Sequence, residues 1–517
     1  MSATHTQTSF FLKLLQISIA SWLCCFSTAG RAELLEIIHT NDLHSHFERA
    51  STDKRGGYAR IKAAVDQLKS QAAAQGIDSI TLDSGDFTEG SIFYQAEAGR
   101  RSWELIDSIG FDAVTIGNHD WLVGVEGVDN MLQSFRPSFQ FLGANFIFDG
   151  KFKALQETLK PYAEFSRSGK RIAVLGLTTD EMLYTWLAGK GEGYVLPPVE
   201  QAKQELAKLV GRNDLVIALS HLGLNADQGL AKKTLGIDLI VGGHSHTELF
   251  EPLYIKNPAG APVPIVQTGH AGNYVGDLLV DVTKGQPMKI LRYQLVPIPV
   301  DGPQDVGVSQ LVQNSREDLE KLYGGKALYE PIGFAEVPLE VPGSSETAWG
   351  NFVAATLQDA ADADMSIDAA EFFGEVQPAG PITRETLFEG YPRTFDPRKP
   401  YGWDVWSFEV RGWVLALAFT ELTRWGNGFR LNISGLSFDN VLKNGKHHAA
   451  NFKVGGDKLK MMKKYRVGVA EGLGRGSYEM VALLKLFFHN AQDTQIPIWK
   501  ALEAQLKKTG GKIRALP

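Results

Sequence analysis

At 517 residues the chain is long for a single hydrophobic core and sized for two domains preceded by a leader. With 44% hydrophobic residues, 21% charged residues and 53 glycines, the composition is that of a turn-rich globular protein, which excludes a disordered or low-complexity chain. A formal net charge of -7 argues against a nucleic acid polymer as partner, and small anionic substrates would need local positive charge of the kind metal ions supply.

From the N-terminus, residues 1–10 carry no acid and Lys13 supplies one positive charge. Residues 14–26 then form an apolar run of signal-peptide length, shorter than the roughly 20 residues a membrane-spanning helix needs. Gly30 and Ala32 place small residues at the two positions a signal peptidase reads, so residues 1–32 are expected to be a signal peptide cleaved after Ala32. An uncleaved N-terminal anchor is the alternative. Both cysteines, Cys24 and Cys25, lie inside the apolar run, and Trp22 and Leu23 ahead of them argue against lipidation. The cleaved protein would be an exported one, periplasmic or at the cell surface, with no thiol and no transmembrane segment. Losing Lys13 and Arg31 takes its charge from -7 to -9.

Beyond Glu33 the pattern predicts a strand at 34–39, an amphipathic helix at 58–75 and a second strand at 80–82. Strand-like runs recur at 113–116, 172–177, 215–219 and 237–241, with helical stretches such as 198–210 between several of them. This alternation predicts an α/β domain over 33–300 with helices covering the sheet faces. Asp301-Gly302-Pro303 breaks the pattern and 308–323 reads as a charged helix, so 301–328 is expected to be a linker helix. From 329 to 517 the chain is richer in glycine and aromatic residues and reads as a second, smaller α+β domain.

The chemistry sits just after the predicted strands, where open α/β sheets place their sites. Asp42 and His44 follow the first strand, Asp86 the second, and Asn118 and His119 the third. His221 follows 215–220, and His244 and His246 follow 238–243. A lone histidine is more often a hydrogen-bonded loop residue, but carboxylate, imidazole and amide groups at five strand ends form a metal cage. Two divalent ions roughly 3.5–4 Å apart need a bridging carboxylate, and Asp86 is the natural bridge. Imidazole with carboxylate suits zinc, manganese or iron. Glycines at 85, 117, 242 and 243 are expected to let the backbone turn beside the ligands.

These segments, His39-Thr40-Asn41-Asp42-Leu43-His44, Gly85-Asp86, Gly117-Asn118-His119-Asp120, Ser220-His221-Leu222-Gly223, Gly242-Gly243-His244-Ser245-His246 and Gln267-Thr268-Gly269, resemble the 5′-nucleotidase family of the calcineurin-like metallophosphoesterases. The resemblance implies a four-layer β-sandwich flanked by helices, then a linker helix and a substrate-binding C-terminal domain. By the family pattern Asp42, His44, Asp86 and His246 hold one metal, and Asp86, Asn118, His221 and His244 hold the other. His119 resembles the histidine that contacts the transferred phosphate or protonates the leaving group. Family members with a His-Asp dyad carry the aspartate three residues after the histidine. Here Leu122 stands at that place, and Asp120, beside His119 and within the superfamily pattern, is the catalytic candidate alongside it.

The C-terminal half resembles the family's nucleotide-binding domain more faintly. Its usual Asn-Gly-Gly-Gly-x-Arg stretch aligns with 369–374 and lacks both the asparagine and the arginine, while a further family arginine falls at Gly343. The family's aromatic pair that stacks on a base could be Phe429 and Tyr478, with core or rim packing as the alternative for both, and Arg430 and Arg475 could supply substitute positive charge. The function implied is a dinuclear phosphoesterase cleaving nucleoside 5′-phosphates or related small phosphate esters by attack of a metal-bridged hydroxide. Two other readings stay open: the same cage acting on a non-nucleotide ester, as in thiosulfohydrolases and cyclic-nucleotide phosphodiesterases, and a catalytically weak metal-binding protein.

Overall fold

The computed structural model describes residues 33–48, 55–181, 192–343, 346–424, 431–443, 446–475 and 489–516. The expected leader, 1–32, lies outside the described residues. Among these residues no helix is long and apolar enough to cross a membrane.

The N-terminal half is built on two mixed sheets. The strands of these two sheets are β1 (Leu34–Thr40), β2 (Asp78–Asp83), β3 (Ala113–Thr115), β4 (Gln140–Leu142), β5 (Leu159–Lys160), β6 (Tyr162–Arg167), β7 (Lys170–Thr178), β8 (Leu215–His221), β9 (Leu239–Val241), β10 (Leu253–Lys256), β11 (Pro262–Val266), β12 (Tyr274–Asp281) and β13 (Lys289–Pro297). The first sheet runs β13-β12-β1-β2-β3-β4-β5 and the second β10-β11-β9-β8-β7-β6. Each has a parallel centre: β1 pairs with β2 from Leu35↔Asp78 to Thr40↔Asp83, and β8 pairs with β7 from Leu215↔Ile172 to His221↔Thr178.

Side chains alternate across these strands, and both faces are buried. Leu35, Ile37, Ile80 and Leu82 of the first sheet meet Val174, Ile217, Leu219 and Val241 of the second in one apolar layer. On the outer face of the first sheet, Ile38 joins Val65 and Leu68 of α1 (Tyr58–Ala74) and Leu105 of α2 (Arg100–Ile109). On the outer face of the second, Ala173 and Leu175 meet Ala202 and Leu206 of α3 (Pro198–Leu209) and Leu230 of α4 (Leu224–Lys233). The result is the expected helix-sheet-sheet-helix sandwich.

Helix α5 (Val306–Tyr323) begins two residues earlier than the charge pattern indicates, because the Asp305 side chain caps it by accepting from the Val308 N–H. It ends at Gly324, which takes a left-handed φ of 83°. Arg316 on this helix pairs with both Glu48 and Glu385, tying the two halves together. The C-terminal half carries a five-stranded sheet in the order Leu431–Ser434, Met365–Ala369, Lys464–Ala470, Asp404–Arg411, His489–Pro497. Helices α6 (Ala348–Ala360), α7 (Gly412–Arg424) and α8 (Ile498–Lys508) accompany that sheet, as an α+β arrangement requires.

Candidate metal centre

All of the parallel strands point their carboxyl ends at one edge, and the predicted ligands come together there. Asp42 and His44 leave β1, Asp86 leaves β2, Asn118 and His119 leave β3, His221 is the last residue of β8, and His244 and His246 leave β9. Backbone hydrogen bonds zip the loops together: Asp42 N–H donates to Gly85 O at 2.9 Å and His44 N–H to Asp86 O at 2.9 Å. Asp42, His44, Asp86, His244 and His246 all adopt positive φ, from 48° to 71°. Of the four glycines expected to turn the backbone, only Gly85 has positive φ, at 83°. At Gly117 close approach is the reason instead, since a Cβ there would sit 2.1 Å from Asp86 Oδ1.

The ligand atoms converge in overlapping groups. Asp42 with His44 and His246, and Asp86 with His221 and His244, each bring their ligand atoms within 4.8 Å of one another. His44 Nε2 lies 3.0 Å from His246 Nε2 and 3.9 Å from Asp86 Oδ2. His221 Nε2 lies 3.0 Å from both Asp86 Oδ2 and Asn118 Oδ1. Each buried histidine is oriented from behind, as metal ligands are. His221 Nδ1 donates to Ser84 O at 2.6 Å and His44 Nδ1 to Glu89 O at 2.9 Å, so both Nε2 lone pairs face inward.

This donor set fits a divalent cation. At His221, an imidazole lone pair, a carboxylate and an amide oxygen are aimed at one another, an arrangement that a positive charge reconciles. The protein's electrostatics state the same demand. Burial disfavours a charged His221, yet the Asp86 and Asp42 carboxylates overcome it and raise its pKa to about 10. A divalent metal ion held by these residues would meet that demand in place of the proton.

The two residues expected to act on the phosphate have separate places. His119 stands at the rim of the cluster, with its Nε2 3.9 Å from Asp86 Oδ2 and its Nδ1 2.8 Å from the Glu89 carboxylate. Burial lowers its pKa, and Asp86 and Glu89 outweigh burial and raise it. Asp120 is spent on the backbone: it accepts from the N–H groups of Asp86, Phe87, Thr88 and Gly117, at 2.8 to 3.1 Å. It thereby fixes the loop that carries Asp86.

A cavity of about 430 Å³ opens over the cluster. His44, His119, His244, His246 and His270 line it from the N-terminal half, and Phe373, Glu375 and Arg393 from the other. Of the expected substrate residues, Phe429, Arg430 and Tyr478 lie outside the described residues. Arg475 lies away from this lining, paired with Glu471 and stacked over Phe395 and Trp406. Sequence reading missed Glu89, His270, Glu375 and Arg393. His270 and Glu375 meet at 3.2 Å across the two halves, a pairing of residues 105 apart that leaves no local signal.

Two family models match the chain: calcineurin-like phosphoesterase over residues 35–248, and 5′-nucleotidase C-terminal domain over 331–483. The chain is similar to the 5′-nucleotidase of Rattus norvegicus, 30% identical over 52% of this chain and 50% of that protein. It is also similar to the trifunctional nucleotide phosphoesterase protein YfkN of Bacillus subtilis, 26% identical over 64% of this chain and 24% of that one. The chain thus spans about half the length, or less, of these curated relatives. In fold it is similar to a 5′-nucleotidase precursor from Thermus thermophilus, with a TM-score of 0.77 and 23% identity over 94% of this chain and 98% of that one. A sulfate thiohydrolase from the same organism has a TM-score of 0.71 and 17% identity over 95% and 97%.

Proposed function

We propose that this chain, which belongs to the calcineurin-like phosphoesterases and carries a 5′-nucleotidase C-terminal domain, is an exported hydrolase of nucleoside 5′-phosphates or related small phosphate esters. The observation that carries this reading is the convergence of Asp42, His44 and His246 beside Asp86, His221 and His244 under an open cavity. Asp42, His44, Asp86 and His246 would hold one ion, and Asp86, Asn118, His221 and His244 the other, with Asp86 shared. Held there, two divalent ions, whether zinc, manganese or iron, would supply Lewis acidity at the phosphoryl oxygens and lower the pKa of a water.

The chain's own residues do the rest. His119 turns its Nε2 toward the cavity, where it can donate to a phosphoryl or leaving-group oxygen. Asp120 keeps the Asp86 loop in register with that ring. Phe373, Glu375 and Arg393 close the cavity from the other half, which limits water and sets the size of the ester admitted. We assign the phosphoesterase domain to 33–300, the linker to 301–328 and the substrate domain to 329–517, with Phe429, Arg430 and Tyr478 as further substrate contacts.

A second reading, the same cage acting on a non-nucleotide ester, is favoured by one observation. Arg393 lines the cavity but has its guanidinium committed to the Glu89 carboxylate and to the Glu371 and Phe372 carbonyls, rather than offering the open fork that grips a phosphate. A phosphate-release screen separates the two. The metal-loaded protein from Glu33 onward is assayed on nucleoside monophosphates, sugar phosphates and cyclic nucleotides, with Asp86→Ala as control. Release from nucleoside monophosphates that falls at least ~100-fold in Asp86→Ala supports the first reading. Silence on every nucleotide from protein holding two metals per chain overturns it.

A further inference from the structure

The histidine at the rim of the centre lacks the carboxylate partner that a dyad three residues apart would give it, since a buried leucine, Leu122, occupies that place. The structure supplies a carboxylate from elsewhere. Glu89 comes from the loop after β2, 30 residues before His119, and its Oε2 lies 2.8 Å from His119 Nδ1. An acceptor at that distance keeps the proton on Nδ1 and turns the Nε2 edge of the ring toward the cavity His119 lines.

Glu89 is itself held on every side. Its side chain is fully buried, and its backbone sits at φ 48°, a left-handed conformation that a glutamate adopts only when its surroundings compel it. Its main-chain oxygen accepts from His44 Nδ1 at 2.9 Å, so one residue orients a metal ligand with its backbone and the phosphate-facing histidine with its side chain. The remaining contacts come from the C-terminal half. Arg393 Nη1 donates to Oε2 at 3.0 Å and the Thr394 N–H to Oε1 at 3.1 Å. Arg393 is anchored in turn by the carbonyls of Glu371 and Phe372, at 2.8 and 3.2 Å.

We propose that Glu89 is the positioning residue for His119, standing in for the missing aspartate, and that Arg393 and Thr394 make its placement depend on the seating of the C-terminal half. The proposal rests on the phosphoesterase reading for its kinetic consequence but not for its geometry. A plain structural ion pair would hold the two halves together without affecting how the ring meets the leaving group.

The test uses the metal-loaded full chain with two esters of the same phosphoryl group: an aryl phosphate, whose leaving group needs little protonation, and an alkyl or nucleoside 5′-phosphate, whose leaving group needs much. In Glu89→Gln, kcat on the poor leaving group is expected to fall by about 100-fold, in the range of general-acid assistance, with KM and metal content unchanged and a loss under about tenfold on the aryl ester. Glu89→Asp should recover part of it. Equal losses on both esters, or none, overturn the proposal. Independently of turnover, the downfield His119 Nδ1 proton, assigned by its absence in His119→Asn, should move upfield in Glu89→Gln. An unmoved resonance overturns the proposal. If Glu89→Gln does not fold, Arg393→Gln takes its place: an upfield shift of the same resonance with a selective loss on the poor leaving group supports the proposal, and an unmoved resonance or equal losses overturn it. Should the wild type hydrolyse neither ester, the phosphoesterase reading fails, and the resonance alone decides the role of Glu89.

Discussion

Six residues at the centre, Asp42, His44, Asp86, Glu89, His244 and His246, sit in left-handed backbone that costs a non-glycine residue on the order of 1–3 kcal/mol. The cost is met by loops bonded to one another, and its effect is to turn carboxylates and imidazoles inward where an extended strand end would turn alternate ones away. Gly117 serves this packing through its missing Cβ. In Gly117→Ala the new methyl would collide with Asp86 Oδ1 and with Asp86 N, at 2.1 and 2.4 Å. We expect metal affinity to drop about 10–100-fold, as for lost supporting contacts, while stability falls by only about 1–3 kcal/mol. Metal analysis against thermal melting checks this, and full metal content with full activity would show that Asp86 has room to move.

At the level of elements, the strand Met365–Ala369 carries the cavity wall, since Ala370, Phe373 and Gly374 follow it directly. It is paired on both sides within the C-terminal sheet, and it contains a buried acid. Asp368 is fully buried, accepts from the Tyr391 hydroxyl at 3.1 Å, and has no partner for Oδ2 among the described residues. Burial raises its pKa to about 8. Between its ordinary value of about 4 and that raised value, the folded state binds the proton and the unfolded state releases it, so this group's contribution to stability declines as pH climbs through the window. Asp368→Asn keeps the acceptor and removes the titration. The variant should therefore gain on the wild type in melting temperature from pH 5 to pH 8. A constant difference across that range would mean that Asp368 is already ionised in the fold.

At the scale of the whole molecule, the candidate metal ligands come from strands of two sheets, and α5 and the Glu89–Arg393 contact fasten the second half over them. Ions bound only by the folded state stabilise it by mass action, about 2.7 kcal/mol per site at a free concentration a hundredfold above the dissociation constant. Adding a chelator should accordingly lower the melting temperature, and restoring zinc or manganese should raise it again in a concentration-dependent way. A melt indifferent to both would mean that the cluster is preformed without metal and binds it too weakly to matter.

Local pattern alone determined much of this protein. Strands buried on both faces read as continuous apolar runs, and ligands placed directly after them need no long-range knowledge, so the parallel centres of the two sheets, α5 and the places of Asp42, His44, Asp86, Asn118, His221, His244 and His246 were legible along the chain, while the short flanking strands such as Gln140–Leu142 and Leu253–Lys256 were not. The partnership of Asp120 was not, because adjacency in sequence says nothing about which way a carboxylate turns, and here it turns to four backbone N–H groups. Nor was Glu89, whose significance arises only where its carboxylate meets a histidine 30 residues downstream and an arginine 304 residues downstream. Contacts of that kind have no period and no spacing to read. They exist only once the sheets have closed and the second half has docked.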